Sequence, residues 1–182
     1  MGSSGGAVAS AFAKIEEQVI VGAPVAQIDF LAIPQTFRNL LLIARLNSDG
    51  VNSPVRARFN ADAAANYDTL LYGANAAGGL VGALLAADTS IHVGDANGGA
   101  GSDPQSFGYC ELWLPNYAHA AMRKTAMSRG YRHDNVTITQ RISYAGGTWR
   151  GEVPITQISL FLEVAGNIEA ESVATLYGLG LI

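Results

Sequence analysis

The stretch Arg38-Asn39-Leu40-Leu41-Leu42-Ile43-Ala44-Arg45-Leu46 decides how this chain is read. Leu40, Leu42, Ala44 and Leu46 alternate with Leu41 and Ile43. At a period of two both faces are therefore apolar, the pattern of a central strand covered on both sides. Asn47-Ser48-Asp49-Gly50 follows and predicts a turn, since Asp-Gly accommodates the positive φ angles of a tight hairpin.

Alternation continues on either side of this stretch. Over Val25 to Phe30, Ala26, Ile28 and Phe30 point one way and Gln27 and Asp29 the other. Val55, Ala57 and Phe59 alternate with Arg56 and Arg58, and Tyr67 to Tyr72 and Ser90 to Gly94 read as further strands. Phe107, Tyr109, Glu111 and Trp113 oppose Cys110, Leu112 and Leu114, with Pro115 as the stop. Later candidates are Lys124 to Arg129, Val136 to Tyr144, Thr148 to Glu152, Ile155 to Val164 and Ser172 to Leu179. Ala145-Gly146-Gly147 is expected to close a hairpin between the second and third of these. Ile158, Leu160, Leu162 and Val164 form an inward row.

Helical periodicity is nearly absent. Gly73 to Ala87 is rich in Gly and Ala with Leu80, Val81, Leu84 and Leu85 embedded, and reads as a long loop or short helix needing a partner surface. Ala7 to Gln18 permits a helical turn. About ten short strands separated by turn signals indicate an all-β sandwich or barrel.

Composition bounds what such a scaffold does. Only 14% of the 182 residues are charged, against about 25% in an ordinary soluble domain. A monomer would have difficulty covering itself with polar side chains. Disorder is excluded by the high apolar content, and no apolar run is both long enough and continuous enough for a membrane span. The net charge of −4 argues against nucleic-acid binding, which depends on clustered Lys and Arg. The local basic stretch Arg123, Lys124, Arg129, Arg132 and His133 is read as a solvated or interface-facing hairpin.

No motif carries chemistry. The single Cys110 excludes an internal disulfide, and its apolar surroundings suggest an inert thiol. Gly98-Gly99-Ala100-Gly101-Ser102-Asp103 matches part of a calcium-binding nonapeptide, but only one copy is present where stacked copies are needed. His92, His119 and His133 lack metal or catalytic spacing and are expected at the surface or an interface. Glu16 and Glu17 would face opposite sides of a strand, and Glu169 and Glu171 fit a solvated turn. Trp113 and Trp149 are read as core residues in preference to a sugar-stacking platform. No catalytic, cofactor-binding or metal-binding residue is expected.

The order of segments carries more than any motif. Ile15-Glu16-Glu17-Gln18-Val19-Ile20-Val21-Gly22 is followed by Ile28-Asp29-Phe30 and Ile33-Pro34-Gln35-Thr36-Phe37. Then come Arg58-Phe59-Asn60 with Ala65-Asn66-Tyr67, Ser90-Ile91-His92-Val93-Gly94, Gly147-Thr148-Trp149-Arg150, Ile155-Thr156-Gln157-Ile158 and Ala174-Thr175-Leu176-Tyr177-Gly178. This series resembles a family of jelly-roll structural proteins on tailed bacteriophage particles, labelled tail-fibre, minor tail or head decoration domains. The resemblance covers roughly residues 15–182 and leaves 1–14 as an N-terminal arm.

The resemblance implies an antiparallel jelly-roll β-sandwich of about 8–10 strands, displayed on a virion as an oligomer, often a trimer. It brings no catalytic residues. The function expected is that of a non-enzymatic capsid decoration, or cement, protein on the outer particle surface, made in the host cytoplasm. Its partners would be further copies of itself and the major capsid protein or another shell protein. The alternative is a tail-fibre or receptor-binding module that recognises host surface glycan through loops such as Asp95 to Ser106. Phe12 in the Ala7 to Lys14 arm and Leu80, Val81, Leu84 and Leu85 are the expected assembly contacts.

Overall fold

The computed structural model describes residues 12–75, 78–98, 106–134, 139–164 and 166–181. Residues 1–11, with most of the expected arm, lie outside that set, as do 99–105 of the Gly-rich loop and 135–138. The described chain is all β, with twelve strands: β1 (Phe12–Val19), β2 (Gln27–Phe30), β3 (Phe37–Ser48), β4 (Ser53–Phe59), β5 (Tyr67–Asn75), β6 (Leu80–Asp88), β7 (Ile91–Gly98), β8 (Gly108–Pro115), β9 (Lys124–Asp134), β10 (Thr139–Trp149), β11 (Ile158–Leu162) and β12 (Val173–Leu181). Among the described residues no helix is long and apolar enough to cross a membrane.

The strands form one connected, mostly antiparallel sheet in the order β2-β11-β4-β7-β3-β8-β9-β10-β5-β6, with β12 also paired to β3 and β1 to β12. Its connectivity is uneven. One limb, β2-β11-β4-β7, joins the long limb β1-β12-β3-β8-β9-β10-β5-β6 through two residue pairs between β3 and β7 and one between β7 and β8. Both limbs feed one hydrophobic cluster. Leu40, Leu42, Ala44 and Leu46 of β3 and Leu112 and Leu114 of β8 meet Phe30 of β2, Val55 and Phe59 of β4, Ile91 and Val93 of β7, and Ile158 and Leu160 of β11.

Close approach between the limbs depends on small residues. A Cβ on Gly94 of β7 would lie 2.7 Å from Cys110 Sγ, and one on Gly130 of β9 would lie 2.5 Å from Gly94 Cα. Any larger side chain here would force the layers apart. At one end of the core Tyr67, Phe59 and Trp149 pack together, with ring centroids 5.7–6.4 Å apart. Trp149 Nε1 donates to Asp62 Oδ2 at 2.8 Å, satisfying the indole in an otherwise apolar setting.

Several expectations are corrected. Gly73 to Ala87 is neither loop nor helix: its described residues form the end of β5 and then β6, which pair antiparallel with Leu70 opposite Leu84 and Ala74 opposite Leu80. Ala145-Gly146-Gly147 does not turn. β10 runs through it and pairs on both sides as far as Trp149. Gly147 serves close packing instead, since a Cβ there would lie 2.7 Å from the Asp68 carbonyl oxygen and 2.6 Å from Ile91 Cδ1.

Asn47-Ser48-Asp49-Gly50 is no hairpin: Asn47 and Ser48 end β3 in register with β7, and only Asp49 and Gly50 bend, because β3 and β4 go to different limbs. Asp49 is held there by hydrogen bonds from Asn167 N and Nδ2. Phe12 to Lys14 belong to strand β1 in register with β12, where the helical reading and the arm boundary had separated them from the sheet. Edge pairing with β12 outweighs the weak local alanine preference.

Candidate functional site

Alternation along the long limb puts one set of side chains into the core and the other onto an outer face. The ladders align the outer set in rows running across the strands. One row is Tyr177, Leu41, Trp113, Met127, Gly146, Leu70 and Leu84, from β12 to β6. The next is Thr175, Ile43, Glu111, Arg129, Tyr144, Tyr72 and Gly82, and a third is Val173, Arg45, Tyr109, Tyr131, Ile142, Ala74 and Leu80.

This face is open to solvent over much of its extent. Met127 is 66% exposed, Leu70 63%, Leu84 72% and Leu80 73%, with Tyr72, Tyr131, Tyr144 and Ile142 exposed between them. From β3 to β6 the rows span six strands. At about 4.8 Å between strands and about 6.8 Å between rows the face outlines roughly 30 by 20 Å. A contiguous apolar area of several hundred Å² marks an interaction surface.

Between β8 and β6 these rows hold one acid and one base, and the two satisfy each other. Arg129 donates from Nε and Nη2 to Glu111 Oε2 at 2.9 and 2.7 Å, and Tyr109 Oη donates to the same oxygen at 2.7 Å. The Tyr109 phenol is pushed up by burial first and by this carboxylate second. The Arg129 guanidinium is raised chiefly by its hydrogen bonds to Glu111. An open depression of about 320 Å³ lies beside the pair, lined by Trp113, Met127, Ser128 and Tyr144. Gly146 lies in the same row as Met127 and Leu70, and a Cβ there would touch nothing within 4 Å.

The residues expected to make assembly contacts do not share one face. Leu80 and Leu84 point outward from β6, and Leu84 packs beside Leu70 of β5. Leu85 is half-buried on the opposite side of the strand. Val81 lies in β6, and its side chain is outside the described set. Phe12 stacks on Tyr177 of its own chain, centroids 4.7 Å apart, so it ties β1 down while remaining 48% exposed.

Trp113 departs from its expected core position and stands half-buried on the outer face. Trp149 is buried and unable to stack on a sugar. The basic stretch divides between faces: Arg129 points out, whereas Lys124 is buried and donates to the His119 and Met122 carbonyls. It forms no single patch.

His92 is not at the surface. It is buried between the limbs, with Nε2 3.4 Å from Ser143 Oγ, which in turn donates to Asp95 Oδ2 at 3.0 Å. Asp95 also faces Arg141, 3.3 Å away. Burial pushes His92 down to about 3, helped by Arg56 and Arg141. Burial raises the Asp95 carboxyl against the pull of Arg141 and Arg132.

The trio has the residue types of a hydrolase triad, but the serine sits between the other two and the histidine is not oriented by the aspartate. All three are shut off from solvent, with at most 2% exposure. Ser143 links the other two where the limbs meet, while Asp95 Oδ1 accepts no hydrogen bond among the described residues and faces the Arg141 guanidinium. Cys110 beside the trio is fully buried, and burial pushes its thiol up, away from the reactive thiolate. Among the described residues no group of three or more His, Cys, Asp or Glu is placed to hold a metal ion.

No protein-family model matches the chain, and neither the curated proteins nor the solved structures contain a match.

Proposed function

We propose that this chain is a non-enzymatic structural protein of a bacteriophage particle: a jelly-roll sandwich that works as an oligomer on the outer surface and cements the shell. The observation that carries this reading is the uncovered apolar outer face, several strands wide, whose one acid and one base between β8 and β6 bind each other. The order of segments along residues 15–182 supports the phage assignment. The sandwich reading is supported by two limbs joined by few residue pairs and sharing one core.

The mechanism is mechanical. Surface that is apolar on one subunit is stable only when another subunit removes it from water, at roughly 25 cal/mol per Å². Contacts made across joints in a shell must then be broken before the shell can expand. The acidic balance suits the outside of a particle, because the inner wall lies against packaged nucleic acid.

The test is incorporation into particles. Removing residues 1–11 leaves β1 and its pairing with β12 in place. The truncated protein is expected to fold with an unchanged melting profile and to be missing from purified virions. Truncated protein present at normal copy number overturns the attachment scheme, and electron microscopy that places the full chain off the particle overturns the function. Glycan recognition is the second reading, favoured by the depression between Trp113 and Tyr144. Binding to a glycan array that disappears in Trp113→Ala would establish it.

A further inference from the structure

We infer that the part of the outer face from β8 to β6, together with the open edge of β6, is covered in solution by a second copy of this chain. Three independent features point to this occupant.

The first is the edge. The long limb ends in β6 on one side and β1 on the other, and each pairs with a single neighbour among the described residues. A free strand edge invites pairing with another chain, and monomeric proteins blunt it with charges, proline or very short strands. β1 carries Lys14, Glu16, Glu17 and Gln18, and the edge strand β2 of the other limb has four residues including Gln27 and Asp29. β6 reads Leu-Val-Gly-Ala-Leu-Leu before its bulge at Ala86-Ala87 and its first charge at Asp88, so its first six residues carry neither charge nor proline to discourage pairing.

The second is charge. This chain is acidic, and two copies approaching at random repel each other. Between β8 and β6 the three rows hold only Glu111 and Arg129, already bound to one another. No field there selects a partner of opposite sign, and none opposes a copy of the same sign. An acidic or basic partner would have no counter-charge to meet, whereas an identical neutral face needs none.

The third is size and composition. Stable homomeric contacts bury about 800 Å² per partner, are poor in charge and are rich in Tyr, Trp, Met and Arg. The roughly 500 Å² outlined by the rows from β8 to β6 at ordinary sheet spacings, plus the β6 edge, approaches that class. Its residues are the enriched types. The open site at Gly146, beside Met127, supplies a recess for a side chain of the partner.

The inference rests on the assembly reading above only in that both require the face to be covered. Its test is sedimentation and light scattering of the purified full chain over a concentration series, compared with Leu70→Arg/Leu84→Arg and with Met127→Arg. Each substituted side chain is exposed, so the fold tolerates the change, and circular dichroism with thermal melting verifies this for both variants. A third variant, Gln18→Arg on the β1 edge, serves as the control.

Wild type and Gln18→Arg are expected to sediment as oligomers. The two face variants are expected to be folded monomers whose association is weakened by at least roughly 100-fold, the scale of losing central interface residues. Wild type that stays monomeric at high concentration, or folded face variants that remain assembled, overturns the inference. A wild-type monomer that nevertheless enters particles, and loses entry in Leu70→Arg/Leu84→Arg, identifies a shell protein as the occupant and leaves the cementing role standing without the oligomer. An oligomer that never appears on particles does the reverse.

Discussion

The two faces of β8 and β9 are one residue apart in sequence and opposite in fate. Cys110, Leu112 and Leu114 point into the core and are essentially inaccessible, while Tyr109, Glu111 and Trp113 point outward beside Met127 and Tyr131. Both sets are largely apolar. The difference teaches that an apolar row does not by itself say whether it is core or surface. The inner row is covered by the other limb of the same chain, and the outer row has no cover from this chain among the described residues.

The comparison can be broken at either face, and its inner side carries the largest effects. Leu112→Ala is expected to destabilise the subunit by about 2–5 kcal/mol through lost contacts and a cavity, read by denaturant unfolding of the monomeric form. Met127→Ala, on the outer row of the next strand, should cost the monomer under about 0.5 kcal/mol, as ordinary surface substitutions do. Equal losses would mean that the outer face packs against part of this chain.

The buried polar network sharpens the same contrast through pH. His92 is held near 3 in the folded protein against 6.5 in its ordinary state, so the unfolded chain takes up its proton first as pH falls. Stability contributed by keeping His92 neutral is present above about pH 6.5 and is lost progressively between there and pH 3, an effect of order 3–5 kcal/mol at its limit. Asp95 works in the opposite sense, because its raised carboxyl binds a proton earlier in the folded state and offsets part of the loss. His92→Gln is expected to flatten the decline between pH 6 and 4 in a melting-temperature series. An unchanged slope would place the acid sensitivity elsewhere.

Two glycines give the smallest and cleanest pair of tests. Gly94→Ala forces a Cβ against Cys110 where the limbs meet, at an expected cost of about 1–3 kcal/mol. Gly146→Ala puts a Cβ into open space on the outer face, and monomer stability should move by less than about 0.5 kcal/mol. A large loss at Gly146 in the monomer would contradict an open face.

Much of the fold is visible in local pattern, because alternation at a period of two is a property of the chain itself. The β3 run from Leu40 to Leu46, the end of β8 at Pro115 and the inward residues Ile158, Leu160 and Leu162 follow from it directly, whereas Val164, expected in the same row, lies beyond β11 and is exposed. The errors share a cause. Gly146-Gly147 reads as a turn from its residues alone, but Gly147 answers to the Asp68 backbone and Ile91, which are far away in sequence. His92 reads as a surface residue until Ser143 and Asp95 arrive beside it from other strands. β6 reads as an irregular segment because Gly and Ala carry little strand preference, and its regularity comes from pairing with β5.

The candidate site was half visible. The sparse charge of the sequence points to apolar surface left for a partner, and of the residues exposed on the outer face Leu80 and Leu84 were singled out in the sequence as contacts. Met127, Leu70, Tyr144, Tyr72 and Ile142 were not, because nothing local distinguishes the strand face that meets the core from the one that does not. Trp113 was assigned to the core for the same reason.

By itself, the sequence determined that this protein is built from strands, that it is poor in charge, and that no compact motif for chemistry is present. Its period and composition are local quantities and need no partner to be read. Only the tertiary structure decided which apolar rows are core and which are outer face, where the charged and uncharged edges fall, and that the histidine, serine and aspartate are shut inside. Those are outcomes of strand order and register, which depend on residues far apart in the chain meeting at the right distance.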